Sequence, residues 1–120
     1  MMELERLRSS RDFKRVYRRG RSYAHPLFVL YILRVEEKRK RIGFSVSKKC
    51  GGAVVRNRIK RRLREICRQH EAMFRPGFDA VIIARKNSGS ESWQEYCQVL
   101  DELFRKSRMF LREEQMDMEG

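Results

Sequence analysis

Residues 47–68 read SKKCGGAVVRNRIKRRLREICR. Between Lys48 and Arg68 this stretch carries nine lysines or arginines and a single acid, Glu65. After Gly51 and Gly52, apolar residues recur every three or four positions, which is the pattern of an amphipathic helix. The apolar row consists of Val55, Ile59, Leu63 and Ile66, and His70 continues it. One side of the helix can therefore be buried while the remaining surface is densely positive.

The cations of this helix predict a polyanionic partner. They fill most of its surface outside the apolar row: Arg58, Lys60, Arg61, Arg62, Arg64 and Arg68. Arg56 lies nearer the apolar row, where its place in the first turn makes it tolerable. A helix face that is only solvated usually interleaves both signs of charge, because like charges repel. A nucleic acid would neutralise this surface and release its counterions, so the sequence favours nucleic-acid binding over a solvated face.

The length of 120 residues indicates one domain over 1–120, with a folded core of about residues 8–112 and an acidic tail at 113–120. The formal net charge of +13 again indicates an acidic partner. With 41% apolar residues the chain can build a core, which excludes a disordered basic tail. No apolar run approaches the roughly 20 residues needed to cross a bilayer, and the N-terminus has no secretory pattern, so we expect no membrane partner.

The cysteines and histidines predict neither disulfides nor a metal site. Cys50, Cys67 and Cys97 are odd in number, widely spaced and without a Cys-x-x-Cys pair. His25 and His70 complete no zinc pattern with them. These features are typical of a reduced, cytoplasmic protein in which Cys67 and Cys97 are small core residues.

The first predicted helix begins after Ser9. This residue is a suitable N-cap, and Asp12 stands three residues later, as in a capping box. Phe13 and Tyr17 lie on one face of the helix with Val16, and the other side is basic. Two interpretations stay open for the aromatic pair: a core stripe, or a platform on which unpaired bases stack.

Three segments have the composition of buried strands: 27–35, 41–47 and 78–84. The polar residues 36–40 between the first two predict a hairpin tip. In the second segment two sets of residues alternate, Ile42, Phe44 and Val46 with Gly43, Ser45 and Ser47. A face of only glycine and serine permits a close approach to the sheet, and the sequence leaves open whether a ligand or a packed helix uses it.

A last helix is predicted from Ser92, whose capping box includes Glu95, to about residue 112. One face of it is apolar: Trp93, Tyr96, Cys97, Leu100, Leu103, Phe104, Phe110 and Leu111. The strands on either side of the basic helix can pair in parallel through it as a crossover unit. The sequence therefore predicts an α+β domain in which helices pack against one small sheet as a two-layer sandwich.

No convincing catalytic set is present in the sequence. The only acids between residues 38 and 90 are Glu65, Glu71 and Asp79. Metal-dependent nucleases need clustered carboxylates to hold their ions, and these three are well separated. His25 and His70 do not resemble the paired acid and base of a metal-free ribonuclease. We therefore expect a binding protein and not a free-standing nuclease.

Several motifs together resemble the protein subunit of bacterial ribonuclease P. The strongest is the block 42–61, IGFSVSKKCGGAVVRNRIKR, in which Arg56-Asn57-Arg58 matches the family's arginine-asparagine-arginine motif. Similar stretches elsewhere are Asp12-Phe13, Arg19-Gly20, 28–31, 82–86 and 103–107. One departure is Gly52, which stands where a polar or basic residue is common and which weakens the cap of the basic helix. The resemblance covers most of the chain.

This resemblance implies the element order α-β-β-β-α-β-α, with a small mixed sheet and a left-handed βαβ crossover around the arginine-rich helix. It adds a short strand near residues 21–24 that the composition does not indicate. The left-handed sense departs from the general right-handed rule, so the residues alone would predict the opposite hand.

The resemblance also implies removal of the 5′ leader from precursor tRNA, by an enzyme whose catalyst is a large RNA that holds Mg²⁺. The protein would supply no catalytic residue and bind no cofactor or metal, with one protein per RNA subunit. The residues implied to dock on ribonuclease P RNA are Arg56, Asn57, Arg58, Lys60, Arg61, Arg62, Arg64 and Arg68. Those implied to bind the single-stranded leader, in a groove between the first helix and the sheet, are Phe13, Tyr17, Tyr31, Lys48, Lys49 and Arg85.

An alternative of a different class is a ribosomal-type structural RNA-binding protein without an enzymatic partner. The charge pattern of the basic helix fits both classes, because each binds a folded RNA through its phosphates. The RNA that copurifies with the protein discriminates between them. Ribosomal RNA favours the alternative, whereas one abundant non-ribosomal RNA of several hundred nucleotides favours the ribonuclease P interpretation.

Overall fold

The computed structural model describes residues 3–112. They form five strands and three helices, labelled in chain order: β1 (Leu4–Arg6), α1 (Ser10–Arg19), β2 (Arg21–Ala24), β3 (Phe28–Arg34), β4 (Lys40–Val46), α2 (Ala53–His70), β5 (Phe78–Ala84) and α3 (Trp93–Lys106). Single turns of 3-10 helix follow β4, α2 and β5 at Lys48–Cys50, Glu71–Met73 and Ser88–Ser90. The acidic tail predicted at 113–120 lies outside the described residues.

All five strands belong to one mixed sheet in the order β1-β4-β5-β3-β2. β1, β4 and β5 run parallel to one another, while β3 is antiparallel to both β5 and β2. β2 is the short strand that the resemblance implies, and β4-α2-β5 forms the expected parallel crossover unit. β1 is an addition to the expected order and extends the sheet edge beside Lys40–Ile42. The α+β class is confirmed.

The predicted hairpin between β3 and β4 is wrong, because β5 lies between these two strands. The connection between them is tied to the chain that enters β5. The N–H of Val35 donates to the Gly77 carbonyl at 3.0 Å, and the N–H of Gly77 donates to the Arg39 carbonyl at 2.7 Å. Six of the seven residues of β5 are buried, which suits a central strand with neighbours on both sides.

Helices cover both faces of the sheet. α2 and α3 pack on the face that presents Leu30, Ile42 and Ile82, each at most 2% exposed. α1 packs on the opposite face, where Val16 is buried in a small cluster with Val81. The predicted two-layer sandwich therefore accounts for the sheet with α2 and α3, and α1 adds a partial layer on the other side.

Three of the helix ends test the expectations from the sequence. Ser9 and Ser92 cap α1 and α3, each accepting a backbone N–H bond of 3.2 Å from the third residue on. α3, however, ends at Lys106 and not near residue 112. Arg108 adopts a left-handed conformation with φ of 59° and turns the chain. Phe110 then returns alongside Phe74 in an isolated β-bridge, with ring centroids 5.8 Å apart.

The apolar face predicted for α3 is largely confirmed. Tyr96, Leu100 and Phe104 are fully buried, whereas Trp93 at the start of the helix is 37% exposed. Cys67 of α2 is also buried, as predicted, and Cys97 is half-buried. Within residues 3–112, no helix combines the length and the apolar composition that crossing a membrane requires.

Candidate nucleic-acid interface

α2 presents a positive surface because its apolar row is anchored in the core. Ile59, Leu63 and Ile66 are fully buried against the sheet and α3. Burial of each such side chain contributes about 1.5–3 kcal/mol. Repulsion between neighbouring like charges on a helix costs only a few tenths of a kcal/mol per pair. The buried row can therefore hold the cationic face in place without a ligand.

The predicted docking residues differ in how far the protein already uses them. Arg58 donates to the Gly89 carbonyl at 2.9 Å, and Arg62 donates to the Glu91 carbonyl at 2.9 Å. The Arg62 guanidinium also lies 5.1 Å from the Tyr96 ring centroid. These two arginines therefore position the turn between β5 and α3 as well as adding charge.

Other members of the set point away from the protein. Asn57, Arg61 and Arg64 are exposed, and within residues 3–112 their side chains form no hydrogen bond or ion pair. Lys60 is half-buried. Arg56 is also half-buried, and its Nε atom has no hydrogen-bond partner among the described residues. The exposed side chains of Asn57, Arg61 and Arg64 are available to an anionic partner, whereas the Nε atom of Arg56 is buried.

Glu65 supplies little compensation for the charge of this face. Its carboxylate accepts two hydrogen bonds from Arg68, at 2.6 and 3.0 Å. The hydrogen bond from Arg68 lowers the pKa of Glu65. Since the acid is already paired with one arginine, the other cations of α2 have no ion-pair partner among residues 3–112.

The predicted leader-binding aromatics form one cluster on the α1 face of the sheet. The rings of Tyr17 and Tyr31 meet edge to face with centroids 5.1 Å apart, and Phe13 lies 6.3 Å from Tyr17. All three are half-buried, whereas Val16 between them is fully buried. Burial raises the pKa of Tyr17, so its hydroxyl stays protonated. Val16 is the core anchor, as the core interpretation requires. The aromatic rings keep part of their surface exposed, and the stacking of bases on them stays a prediction.

Gly43 shows what occupies the glycine and serine face of β4. A Cβ atom there would lie 2.5 Å from the Cζ atom of Phe13, which is closer than atoms can pack. The close approach is therefore made by α1, as in the packed-helix alternative. Farther along β4, the half-buried Ser45 interacts with the side chain of Tyr17. Ser47, just after the strand, is exposed.

The predicted phosphate-binding cations lie beyond the ends of two parallel strands. Val46 of β4 pairs with Ala84 of β5, so these two parallel strands finish at the same end of the sheet. Lys48, Lys49 and Arg85 follow at that end. All three are exposed. On the neighbouring strand, Phe28 of β3 pairs with Ala84, and Tyr31 lies three residues farther along β3. The distance from Phe28 to Tyr31 along the strand is about 10 Å. The structure thus places the aromatic and cationic sets at neighbouring positions.

A buried ion cluster that the sequence did not indicate orients α1. Asp79 at the start of β5 is fully buried and accepts hydrogen bonds from Arg15 (2.6 Å), Arg39 (2.8 Å) and Arg41 (2.7 Å). Burial alone would raise the pKa of Asp79, but the bonds from Arg41 and Arg39 hold it well below its usual range. The only available signal was a lone acid within an apolar strand pattern.

A further group of arginines lies at the end of the sheet opposite Lys48 and Arg85. It surrounds a cavity of about 410 Å³ and comprises Arg19, Arg21, Arg34, Arg75 and Arg108. Burial and the neighbouring charge of Arg75 lower the pKa of Arg34 to about 10. Positive charge is therefore spread around the molecule and is not confined to α2.

The described part of the chain offers no evident metal centre. Among residues 3–112, no group of three or more histidine, cysteine, aspartate or glutamate side chains is arranged to hold a metal ion. The one strongly perturbed carboxylate, Asp79, is saturated by arginines. The surface presents guanidinium and ammonium groups beside aromatic rings, and groups of these kinds contact phosphates and bases in nucleic-acid complexes.

Comparison with known proteins gives one consistent result. The family model described as Ribonuclease P matches residues 1–108. The ribonuclease P protein component of Exiguobacterium sibiricum is 43% identical over 109 residues, which cover 90% of this chain and 94% of that protein. The corresponding protein of Bacillus velezensis is 42% identical over 111 residues, covering 92% and 95%.

The fold is also similar to those of solved ribonuclease P proteins. The Staphylococcus aureus protein superposes with a TM-score of 0.82 at 34% identity, over 88% of this chain and 97% of that one. The Thermotoga maritima protein gives 0.77 at 32% identity, over 85% and 96%.

Proposed function

The chain belongs to the ribonuclease P protein family, and from this we propose that α2 docks it on the catalytic RNA while the α1 face binds the 5′ leader of precursor tRNA. Membership of the ribonuclease P complex makes ribonuclease P RNA its partner. The observation that carries the docking assignment is the anchored cationic face of α2, with Asn57, Arg61 and Arg64 directed outward.

The leader assignment rests on the neighbouring aromatic and cationic sets. Single-stranded RNA is held by stacking on aromatic rings and by cations that track its backbone. Phe13, Tyr17 and Tyr31 supply partly exposed rings. Positive charges lie at the end of the same sheet where β4 and β5 finish, on Lys48, Lys49 and Arg85. A leader strand lying on the α1 face could contact both sets.

In this proposal the protein has no catalytic residue, and the RNA subunit holds the Mg²⁺ ions that cleave the phosphodiester bond. The protein contributes by tightening the binding of precursor tRNA and by neutralising phosphates, which lowers the Mg²⁺ requirement. One protein per RNA subunit and a cytoplasmic location are also part of the proposal. Three unpaired cysteines support a reducing compartment.

Reconstitution with a bacterial ribonuclease P RNA tests the proposal. The rate of 5′-leader removal is measured against Mg²⁺ concentration, with RNA alone, protein alone, and both together. We expect the protein to shift leader removal to lower Mg²⁺ and to be inactive alone. An unchanged Mg²⁺ dependence, or cleavage by the protein without RNA, would contradict it. Lys38→Gln, which removes one charge from the β3–β4 connection, serves as the control for net charge.

A further inference from the structure

A cavity of about 270 Å³ opens between β1 and the C-terminal half of α2. Its floor is apolar and includes Leu4, Phe44 and Cys67. Its rim carries four arginines: Arg6 of β1, Arg8 just after it, and Arg64 and Arg68 of α2. The cavity differs from the one around Arg34 in sharing Arg64 and Arg68 with the cationic helix α2.

The cavity exists because β1 leaves the sheet edge early. β1 pairs with β4 only as far as Ile42, whose carbonyl accepts a bond of 3.0 Å from the N–H of Leu7. Leu7 is then buried on the α1 side of the sheet, beside Val16. Phe44, two residues beyond Ile42, therefore has no neighbouring strand on this side. A second cavity of about 250 Å³, lined by Arg6, Arg8 and Phe44 among others, adjoins it at the same edge.

Arg68 is paired with Glu65, whereas the other three arginines of the rim have no acidic partner among the described residues. Within residues 3–112, Arg6, Arg8 and Arg64 form no ion pair, although Glu5 and Glu71 also line the cavity. Burial and the charges of Arg64 and Arg8 lower the pKa of Arg6. Like charges gathered without compensation repel one another, so an anion in the cavity would relieve a cost present in the protein alone.

Arg6 also has the geometry of a stacking group. Its guanidinium carbon lies 5.3 Å from the centroid of the Phe44 ring. A guanidinium that covers an aromatic ring leaves its outer plane available, and RNA bases stack on such planes. The cavity therefore offers a flat cationic surface for a base and further cations for the adjoining phosphates.

We propose that this cavity binds one unpaired nucleotide of ribonuclease P RNA, with its base on Arg6 and its phosphates near Arg8 and Arg64. The proposal rests on the proposed function, because it takes the RNA subunit as the molecule docked on α2. Arg64 belongs to both the cavity and the docking face, so a strand crossing α2 would reach the cavity directly. Tyr17 and Tyr31 of the leader set lie on the opposite face of the sheet, whereas Phe13 lines the adjoining cavity with Arg6 and Arg8. The continuity with α2 through Arg64 is therefore what favours the RNA subunit over precursor tRNA as the source.

Two conservative variants test the assignment by separating stacking from charge. Binding of ribonuclease P RNA is measured for Arg6→Lys and Arg8→Lys across a series of salt concentrations. Arg6→Lys keeps the charge and loses the planar surface, so its Kd should rise about tenfold with an unchanged salt slope, within the range for one stacked base. Arg8→Lys should bind within about twofold of the unchanged protein, because lysine still contacts phosphate. Equal affinity of Arg6→Lys and the unchanged protein would overturn the proposal.

Chemical probing of the RNA locates the nucleotide. With the unchanged protein bound, one unpaired nucleotide of ribonuclease P RNA should be protected and should become reactive with Arg6→Ala, while other protections persist. Identical protection patterns, or a change confined to precursor tRNA, would refute the assignment. Arg11→Ala removes an exposed arginine outside the cavity and controls for the loss of charge.

The binding measurements distinguish failure of the proposed function from failure of the cavity assignment alone. If the unchanged protein does not bind ribonuclease P RNA at all, the docking of α2 and the cavity assignment are both wrong. If it binds and Arg6→Lys has no effect, only the cavity assignment is wrong.

Discussion

Asp79 joins three parts of the chain that are distant in sequence. Its carboxylate accepts bonds from Arg15 of α1, Arg39 of the β3–β4 connection and Arg41 of β4. Because Asp79 is fully buried, these bonds replace all contact with water. The cluster holds α1 across the sheet, and so it fixes the position of the aromatic residues that α1 carries.

Replacing Asp79 with asparagine should lower the free energy of unfolding by about 1.5–3 kcal/mol at pH 7, the range for a hydrogen bond to a charged group. Three arginines lose their shared charged partner, but each is partly exposed, and Arg15 and Arg41 keep Asp12 as a neighbour. Urea unfolding measures the change. Asp101→Asn is the matched control, because its pair with Arg105 is exposed and should contribute less than about 1 kcal/mol. Equal effects of the two substitutions would show that the Asp79 cluster does not stabilise the fold.

The same carboxylate should make stability depend on acid pH. The pKa of Asp79 is lower in the folded protein than in the unfolded chain, so the unfolded chain binds more protons. The stabilisation is therefore fully present above the unfolded pKa, about 4, and is lost as pH falls through the folded pKa. The difference in unfolding free energy between the protein and Asp79→Asn should shrink between pH 5 and pH 2. A constant difference over this range would contradict the assigned ionisation.

Phe13 combines packing with an exposed aromatic edge. Phe13→Leu keeps an apolar group above Gly43 and removes the ring. We expect it to weaken binding of precursor tRNA to the holoenzyme by about 1–3 kcal/mol, the range for one stacked base. Binding of mature tRNA, which lacks the leader, should not change. Equal weakening for both RNAs would assign Phe13 to the core alone.

The start of α2 lacks a side-chain cap. Gly52 occupies the N-cap with φ of −72°, and an added Cβ atom would meet nothing within 4 Å. Gly52→Ser should supply an acceptor for a free N–H and raise the free energy of unfolding by a few tenths of a kcal/mol. Thermal unfolding measures the gain, and affinity for ribonuclease P RNA should be unchanged. A lower Tm would mean that the cap position has another constraint.

The predictability of each element follows from the range of the interactions that form it. α2 was predictable because its period and charge segregation are local features. The end of α3 was not, since the apolar period runs on to Phe110 while a left-handed residue at 108 stops the helix. β1 is only three residues long, too short for an alternation pattern. Chain order favoured a β3–β4 hairpin, but pairing depended on the distant strand β5.

At the scale of the whole molecule, the site was predictable where it depends on composition and unpredictable where it depends on contacts. The cationic face of α2 follows directly from the sequence around Arg61. The sequence does not show which of these cations also serve the fold. Arg58 and Arg62 do so by donating to carbonyls in a turn about thirty residues away. The Asp79 cluster and the cavity at Arg6 likewise arise from long-range neighbours that no local pattern specifies.

The formal net charge of +13 has its own consequence for association. Cations lie on α2, around Lys48 at the end of the sheet where β4 finishes, and around Arg34 at the opposite end of the sheet. Such a distribution attracts a large polyanion from many directions and speeds encounter, whereas the arginines in direct contact set the affinity. Removal of a distant charge should therefore change the equilibrium salt dependence less than removal of a docking arginine.

The most direct test is the salt dependence of ribonuclease P RNA binding for the protein and for Arg61→Gln. Arg61 is exposed and forms no hydrogen bond or ion pair with its side chain within residues 3–112, so its loss should leave the fold intact. If α2 docks on the RNA, the variant should bind more weakly, and the slope of log K against log salt should fall in magnitude by about one. Lys38→Gln should leave both nearly unchanged. An unaltered affinity and slope for Arg61→Gln would show that this face of α2 does not contact the RNA.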